Sequence, residues 1–407
     1  MASRHEFEPS PLIRHGRQRS RSPIFSLLRW LGAALAVVLV SALSLAAITA
    51  QQFTSNVKTV ELVGQTAGPP PEIGAYEGGF NVLVVGSDVC EDGSGCNGRG
   101  SSELNDVTML LHVSADQTNA VAVSIPRDMV VPIPSCPRQD GKGSNGAMSG
   151  QPINVSLFYG GLPCTVLTVQ ALTGLPIQFA MEVKFSGIVN ITNAIGGVPV
   201  CVDGPIDDRY SGFSVPAAGT YNLSGEQALD FLRTRHGVGD ASDLARISGQ
   251  QLFLSSMVKK LKAPDGALHN PVDLYKIASA VSQNTIVSSN LKNLNVLVAL
   301  ANVLKNLDLS QVVFVQYPGV TGQGGIYAGK VAPVPSLANA MLAKIKADQS
   351  FLPGKTGLGS KADAAAPTEP SPSTSVPATT ATPTQAPEVI TGLRGQSAAE
   401  QTCAAHR

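Results

Sequence analysis

An uncharged stretch of 21 residues, Trp30–Ala50, constrains this chain more than any other feature of its sequence. At about 1.5 Å of rise per residue, a helix of that length spans the roughly 30 Å of hydrocarbon in a bilayer. Residues 1–29 carry six arginines and two glutamates, and the next basic residue after the stretch is Lys58. By the positive-inside rule, residues 1–29 are a cytoplasmic basic segment, residues 30–50 are a transmembrane helix, and the remainder is extracytoplasmic.

A cleaved signal peptide is the alternative interpretation of the same stretch. The apolar region of a signal peptide is normally shorter, and the best-placed cleavage site, before Gln51, has the bulky side chain of Ile48 three positions back. The sequence therefore favours an uncleaved, single-pass anchor in the cell membrane.

The composition indicates one folded domain outside the membrane. With 43% apolar and 14% charged residues, the chain is too apolar to be disordered, and its net charge of zero excludes a protein that binds nucleic acid with its whole surface. Residues 51–78 predict a linker and residues 79–350 a single α/β domain. Residues 351–407 predict a disordered tail, because 21 of the 25 residues from 363 to 387 are Ala, Pro, Ser or Thr.

Three short β-branched runs near the start of the domain predict strands that end at charged residues. If these strands run up, down and up, Asp88, Asp106 and Arg127 all lie at one edge of the sheet. Taken alone, Arg127 beside Asp128 is more typical of a structural ion pair. The three runs are Asn81–Val85, Val107–Val113 and Ala120–Ser124.

Two predicted helices place more basic and amide side chains near one junction. Residues 225–232 form the first helix, with Ser224 as its N-cap and Gln227 as the capping-box partner. The second helix starts at Ser242 or Asp243, after a loop of nine or ten residues, and runs to about residue 261. The side chains near this junction are Arg233, Arg235, Arg246 and Gln250.

Together, two aspartates and four arginines predict phosphate chemistry. Carboxylate oxygens are the ligands that Mg²⁺ prefers, and this ion binds phosphate oxygens alongside one or two carboxylates. Guanidinium groups match phosphate oxygens with two parallel hydrogen bonds and stay charged. Such a set neutralises a pyrophosphate and the charge that develops on a leaving phosphate.

The six cysteines predict disulfides, because an extracytoplasmic chain meets an oxidising environment. Cys90 and Cys96 bracket a short acidic loop between the two aspartates, and they form the first predicted pair. Spacing alone does not fix the connectivity of the others. The next most plausible pair is Cys136–Cys164, which leaves Cys201 and Cys403 by elimination.

At this point the motifs resemble those of the LytR-CpsA-Psr family. The resemblance is strong over about residues 79–262, extends more loosely to residue 348, and includes the single-span anchor and the Pro/Thr-rich tail of actinobacterial members. The matching segments, in order, are Asn81–Asp88, Asn105–His112, Ser124–Asp128, Ile153–Gly161, Arg233–His236, Asp243–Arg246 and Gln250–Gln251.

The resemblance implies a fold and an activity. The fold is α/β, a central mixed β-sheet flanked by helices in a single domain, preceded by one transmembrane helix. The activity is an extracytoplasmic phosphotransfer that moves a glycan polymer from a polyprenyl-pyrophosphate carrier to peptidoglycan through a phosphodiester.

The resemblance also assigns roles to individual residues. It makes Asp88 and Asp106 ligands of Mg²⁺, or of Mn²⁺ in its place. It makes Asp243 a base for the acceptor hydroxyl. The residues that it places on the pyrophosphate are Arg127, Arg233, Arg235, Arg246 and Gln250.

Two positions depart from the family pattern near the phosphates. Leu104 precedes Asn105-Asp106 where the family usually has arginine, and Pro152 precedes Ile153-Asn154 where the family usually has lysine. Each departure removes a basic side chain, so we expect an active protein whose affinity for pyrophosphate is either lower or depends more on the metal ion.

Two other functions fit the same residues. A pyrophosphatase or phosphodiesterase would pass the phosphate to water, since a metal ion and arginines stabilise either attack. A non-catalytic protein of the cell surface would use the arginine cluster to hold an anionic wall polymer.

Overall fold

The structure is a computed structural model that describes residues 57–64, 76–88, 103–363 and 387–407. Its strands, in chain order, are β1 (Lys58–Val60), β2 (Phe80–Ser87), β3 (Asn105–Val113), β4 (Ala120–Ile125), β5 (Val130–Ile133), β6 (Cys136–Pro137), β7 (Ser144–Asn145), β8 (Met148–Pro152), β9 (Phe179–Lys184), β10 (Val198–Val202), β11 (Ile206–Asp208), β12 (Phe213–Val215), β13 (Gly219–Leu223), β14 (Thr285–Ser288), β15 (Val312–Gln316), β16 (Gly319–Val320), β17 (Ala332–Pro333), β18 (Phe351–Lys355), β19 (Ser360–Ala362), β20 (Glu388–Ser397) and β21 (Thr402–Ala404). Its helices are α1 (Val155–Thr173), α2 (Phe185–Ala194), α3 (Gly225–Arg233), α4 (Asp243–Lys262), α5 (Pro271–Asn284), α6 (Leu294–Asn306) and α7 (Pro335–Lys346).

A mixed nine-stranded sheet with the order β1-β14-β9-β2-β3-β4-β15-β20-β18 forms the centre of the domain. Strands β2, β3 and β4 run up, down and up as predicted, because they pair antiparallel. Alternating side chains enter two different cores: Leu110 packs with α1 and α7 on one face, and Met109 packs with α6 on the other. Helices therefore cover both faces, which confirms the predicted α/β architecture.

Helix α4 lies between the central sheet and a second sheet with the order β13-β10-β21-β19. Leu244 and Ile247 pack in the core of the central sheet, whereas Leu252 and Phe253 pack in the core of the second sheet. Every residue from 244 to 253 is buried. A helix that is buried on all sides holds its polar side chains in fixed positions, which matters for the site described below.

The N-terminal boundary of the domain differs from the sequence prediction. Residues 58–60 were assigned to a linker, but they form strand β1, which pairs with β14 at the sheet edge, and Val57 and Leu62 are buried. A three-residue edge strand is too short to show an alternating pattern, so its sequence carries little signal.

The predicted disordered tail, residues 351–407, is wrong for the two parts that the structure describes. Strands β18 and β20 pair with each other at the edge of the central sheet, and β19 and β21 pair in the second sheet. Residues 364–386 between them lie outside the described residues. Leu393 and Ala404 are buried in the cores, so the end of the chain completes the domain.

One of two disulfides in the described residues ties the end of the chain to the domain. Cys136 pairs with Cys164, and Cys201 on β10 pairs with Cys403 on β21. The predicted pair of Cys136 and Cys164 is thereby confirmed. The sequence left the partners of Cys201 and Cys403 open, and the structure joins them to each other. The predicted pair of Cys90 and Cys96 lies outside the described residues and stays a prediction.

The three strands and two helices predicted around the site are all present, with ends shifted by one or two residues. Helix α3 begins after Ser224 as expected, but the Ser224 side chain makes no cap hydrogen bond, so the predicted capping box with Gln227 is wrong. The Ser242 side chain does cap α4, accepting the N–H of Ala245 at 3.1 Å.

One described helix, α1, has the length and apolar composition to cross a membrane, but half of that apolar window is buried inside the domain. Its side chains Leu157, Leu162 and Val166 pack against the central sheet. The predicted transmembrane helix, Trp30–Ala50, lies outside the described residues.

Candidate active site

The two aspartates predicted to bind metal lie at the same end of the neighbouring strands β2 and β3. Gly86 pairs with Val107 and Ser87 pairs with Asn105, so Asp106 is the extra residue of a β-bulge. A bulge turns a side chain away from the regular strand direction. Asp88 follows β2, and its Oδ1 accepts the N–H of Leu104 at 2.9 Å.

Arg127 lies in the turn after β4 and contacts three carboxylates. Its Nη1 donates to Asp106 Oδ1 at 2.5 Å, and its Nε lies 3.3 Å from Asp243 Oδ1 and 3.7 Å from Asp128 Oδ2. Burial acts to lower the pKa of Arg127, but the negative charges of Asp106, Asp243 and Asp128 outweigh it and raise that pKa above its ordinary value. The guanidinium is therefore a fixed positive charge at the sheet edge.

The first turn of α4 supplies the second half of this ion network. Arg246 Nη2 lies 2.8 Å from Asp243 Oδ1 and donates to the backbone oxygen of Asp106 at 3.2 Å. Asp243 therefore bridges Arg127 and Arg246. Burial lowers the pKa of Arg246, and the charges of Arg127 and Arg235 add to this effect while Asp243 and Asp106 oppose it.

The bridging position bears on the role of Asp243. Both of its carboxylate oxygens are buried and make no hydrogen bond within the described residues, only the ion pairs to the two arginines. A general base needs an oxygen within hydrogen-bond reach of the hydroxyl that it deprotonates. The geometry therefore favours Asp243 as a group that positions arginines over its predicted role as a base.

Two glutamines on α4 fix the helix to its neighbours. Gln250 Nε2 donates to the backbone oxygen of Leu232 at 3.1 Å, near the end of α3. Gln251 Nε2 donates to Ser124 Oγ at 3.2 Å, which ties α4 to β4. Gln250 thus lies beside the end of α3 that bears the arginines, as predicted, and its side-chain amide nitrogen is hydrogen-bonded to the protein backbone.

Arg233 and Arg235 stand at the end of α3 and in the loop that follows. The Arg233 guanidinium lies 5.2 Å from the ring centroid of Phe185 at the start of α2. Arg235 is close enough to Arg246 to act on its pKa. Among the residues that the structure describes, neither Arg233 nor Arg235 has a carboxylate within 4 Å, so both are suited to bind an anion from outside the protein.

The end of the chain supports the loop that carries Arg235. Val238 forms a β-bridge with His406, and the N–H of Gly239 donates to the backbone oxygen of Ala405 at 2.9 Å. Gly239 has a φ of +50°, a conformation that favours glycine. The strands missed in the sequence therefore shape the site directly.

Three further polar side chains lie at the site without a signal in the sequence. The buried carboxylate of Asp208 accepts the N–H groups of Arg235 and His236, both at 2.8 Å. Lys184, 7% exposed, ends β9 opposite Ser87 and is a basic side chain at the same sheet edge as Asp88. Asn105 is fully buried. No periodicity or spacing marks these residues, because their positions at the site depend on strand register or on contacts with distant segments.

The oxygen-rich sheet edge fits a hard divalent cation. Asp88 and Asp106 provide carboxylates there, and the buried Oδ1 of Asn105 has no hydrogen-bond partner among the described residues. A carboxylate has lone pairs enough for both an arginine and a cation, so the Asp106–Arg127 pair is compatible with metal binding.

A different three-residue group in the described part of the chain also has metal-binding residue types, Cys201, Asp363 and Cys403. Its two sulfur atoms form a disulfide and are therefore not thiolate ligands.

The chain is similar to known proteins in both sequence and fold. A family model described as the LytR_cpsA_psr family matches residues 38–341. A curated relative, "Cell wall biosynthesis protein LcpA" of Corynebacterium glutamicum, is 29% identical over 286 residues, which are 64% of this chain and 54% of LcpA. TagT of Bacillus subtilis, named "Polyisoprenyl-teichoic acid--peptidoglycan teichoic acid transferase", is 28% identical over 243 residues, which are 58% of this chain and 69% of TagT. The match thus spans only about half the length of LcpA.

The fold has solved counterparts. The "LytR-Csp2A-Psr enzyme from Actinomyces oris" superposes with a TM-score of 0.52 at 20% identity, over 71% of this chain and 95% of that one. At this identity the likeness concerns the fold alone, a central mixed sheet flanked by helices. Because the family model covers well over half of the sequence, the chain belongs to the LytR-CpsA-Psr family.

Proposed function

We propose that this protein is an extracytoplasmic, Mg²⁺-dependent phosphotransferase that moves a glycan polymer from a polyprenyl-pyrophosphate carrier to peptidoglycan. The observation that carries the proposal is the convergence of Arg127 and Arg246 at the aspartate-bearing sheet edge, with Arg235 close by and without a carboxylate partner. The printed names of TagT and LcpA support the same substrate class.

The transfer exchanges one phosphorus–oxygen bond for another. A hydroxyl oxygen of peptidoglycan attacks the phosphorus that bears the glycan, the bridge between the two phosphates breaks, and polyprenyl phosphate leaves. The hydroxyl proton passes to solvent or to the departing phosphate. Peptidoglycan and glycan are then joined by a phosphodiester.

The chain's own residues hold the charges in place. Arg233 and Arg235 bind pyrophosphate oxygens, because both lack a carboxylate partner in the described part of the chain. Arg127 and Arg246, fixed by Asp243, face the phosphates as a pair whose geometry does not need to be organised during the reaction. Gln250 keeps the end of α3 against α4, so the four arginines stay together.

Asp88 and Asp106 hold the divalent cation in this proposal, with Mn²⁺ as an alternative to Mg²⁺. When bound, the ion would neutralise phosphate charge and thereby ease departure of the leaving phosphate. This demand is greater here than in family members with the usual basic residues, because Leu104 and Pro152 carry no charge.

The test is acceptor-dependent release of polyprenyl phosphate. The full-length protein in detergent is given a polyprenyl-pyrophosphoryl glycan and Mg²⁺, with and without peptidoglycan fragments. We expect polyprenyl phosphate and linked glycan to form in equal amounts, only with the acceptor, and to disappear when EDTA removes the metal.

The two alternative functions predict other outcomes. A pyrophosphatase or phosphodiesterase would release lipid phosphate at the same rate without acceptor. A binding protein would retain the glycan lipid unchanged even in a single turnover. Either result contradicts the transferase proposal.

We also propose that the protein is a single-pass membrane protein with its catalytic domain outside the cell. The arginines that precede Trp30 and the two disulfides support this topology. Protease added to intact, wall-stripped cells should digest residues 51–407 and spare residues 1–29. Protection of the domain would reverse the topology and remove the case for wall chemistry.

A further inference from the structure

Tyr210 and His236 form an exposed aromatic pair at the loop between α3 and α4. We call this loop, residues 234–242, the arginine loop because it carries Arg235. The proposed phosphate chemistry does not use the aromatic pair. Tyr210, in the turn between β11 and β12, is 60% exposed. Its ring centroid lies 4.3 Å from that of His236, with an interplanar angle of 39°. The guanidinium of Arg209 lies 5.5 Å from the Tyr210 ring centroid.

A buried carboxylate holds this pair in place. Asp208 Oδ1 accepts the N–H of Tyr210 at 3.0 Å, while Oδ2 accepts the N–H groups of Arg235 and His236 at 2.8 Å each. Burial acts to raise the pKa of Asp208, but these N–H groups lower it below its usual value. The carboxylate thus stays charged and fixes both aromatic residues to the backbone of the arginine loop.

A second contact joins the same two segments. Ser211 Oγ and Thr234 Oγ1 are 2.9 Å apart and share a hydrogen bond. A single exposed tyrosine needs no explanation on a protein surface. Holding an exposed segment in one conformation costs conformational entropy, however. Here a buried carboxylate and a pair of hydrogen-bonded hydroxyl groups hold the backbone that carries a ring facing solvent.

A fixed, exposed aromatic ring is suited to one face of a pyranose sugar. That face presents C–H groups, which carry partial positive charge and are attracted to the negative face of an aromatic ring. Hydroxyl groups at the sugar's edge need polar neighbours, and Arg209 and the imidazole of His236 provide them. A flat aromatic ligand would fit the ring equally well, but nothing in the proposed reaction contains one.

We propose that Tyr210 and His236 form a sugar-binding subsite for the glycan of the lipid-linked donor. The proposal rests on the proposed function, because that function makes the glycan part of the substrate. The donor's first sugar is bonded directly to the pyrophosphate, and His236 follows Arg235 in the chain. The backbone N–H groups of Arg235 and His236 both donate to Asp208 Oδ2, so the pair is fixed to the loop that carries Arg235, the residue that we propose to bind the pyrophosphate.

The test compares two ligands on the full-length protein in detergent. One is polyprenyl pyrophosphate carrying an N-acetylglucosamine disaccharide, and the other is the same lipid without sugar. Tyr210→Ala should weaken binding of the disaccharide lipid by about tenfold and leave binding of the bare lipid unchanged. Tyr210→Phe keeps the ring and should bind both lipids like the wild type.

The matched control is Tyr275→Ala, an exposed tyrosine on α5, a helix that carries none of the site residues. It should leave both affinities unchanged. Equal melting temperatures for the three variants would show that the Tyr210 effect is not a loss of folding, as expected for a side chain that faces solvent.

Three results would overturn the inference. Equal weakening of both lipids would mean that Tyr210 acts only through the arginine loop. Weakened binding of a soluble peptidoglycan disaccharide with an unchanged donor lipid would assign the subsite to the acceptor. If Tyr210→Ala left the affinities for the donor lipid, the bare lipid and the soluble disaccharide unchanged, no sugar subsite would lie at this pair. These experiments measure binding, so they can show a sugar subsite even if no acceptor-dependent transfer is observed. Failure of the subsite proposal and failure of the transferase proposal can therefore be told apart.

Discussion

Asp106→Asn is expected to lower transfer by about two orders of magnitude or more while the domain stays folded. The side chain is partly accessible at its bulge, and asparagine has nearly the same shape. The loss of charge weakens the metal site that we assign to Asp88 and Asp106, and it also removes the closest anion of Arg127. Arg127 keeps Asp243 and Asp128 as partners, so we expect little change in stability.

Two measurements on the same protein preparation decide this prediction. One is the melting temperature, and the other is turnover of a polyprenyl-pyrophosphoryl glycan over a range of Mg²⁺ concentrations. A metal ligand predicts that the Mg²⁺ concentration for half-maximal turnover rises in Asp106→Asn. A purely structural ion pair predicts a lower melting temperature with normal turnover of the folded fraction.

Arg127→Lys is the companion variant, and it should cause a similar loss despite keeping the charge. The Arg127 guanidinium contacts Asp106 through Nη1 and faces Asp243 and Asp128 through Nε. A lysine ammonium is a point charge and cannot reproduce this planar fork. Wild-type turnover in either folded variant would refute the proposed site.

Asp243→Asn should reduce both stability and transfer, because this carboxylate bridges the half-buried Arg127 and the buried Arg246. Its loss leaves Arg127 and Arg246 facing each other without the anion between them. Arg246 is only 6% exposed, and burial already lowers its pKa. Removing one member of a buried ion pair typically costs about 3 kcal/mol or more of unfolding free energy.

The chain contains a matched control for this variant. Asp273 also lies in the first turn of a helix and pairs with a cation three residues on, Lys276, at 2.9 Å, but Lys276 is 55% exposed. Asp273→Asn should change the unfolding free energy by less than about 0.5 kcal/mol, as solvent screens exposed pairs. Denaturant unfolding and turnover of both variants provide the comparison. If Asp243→Asn were as stable and active as Asp273→Asn, the ion network would have no function.

Local patterns in the sequence were sufficient for the elements that build the sheet edge. Strands β2, β3 and β4 have short β-branched sequences bounded by turns. Arg233 and Arg235 stand at the end of one predicted helix, and Arg246 lies in the first turn of the next. The order of motifs then identified the family. These features depend on residues close together in the chain, where propensity and periodicity carry information.

The tertiary structure decided which of these residues contact one another. The bulge at Asp106 comes from the register between β2 and β3, and the Asp243 bridge exists because α4 is buried between two sheets. Asp208 acquires its role from backbone N–H groups of Arg235 and His236, more than 25 residues further along the chain. Such contacts depend on pairing between distant segments, which no local pattern specifies.

The two ends of the domain show the same limit most clearly. Strand β1 is too short to alternate, and β20 follows a segment rich in Ala, Pro, Ser and Thr, so composition predicted a linker and a tail. Both become strands because the edges of the sheets offer unpaired backbone groups that another strand can satisfy. The sequence by itself determined the family and the residue types that the strand and helix ends carry. Only the fold determined that the end of the chain supports the arginine loop. The physical reason is that a segment pairs at a sheet edge through its backbone, so the pairing depends more on the partner strand than on the segment's own side chains.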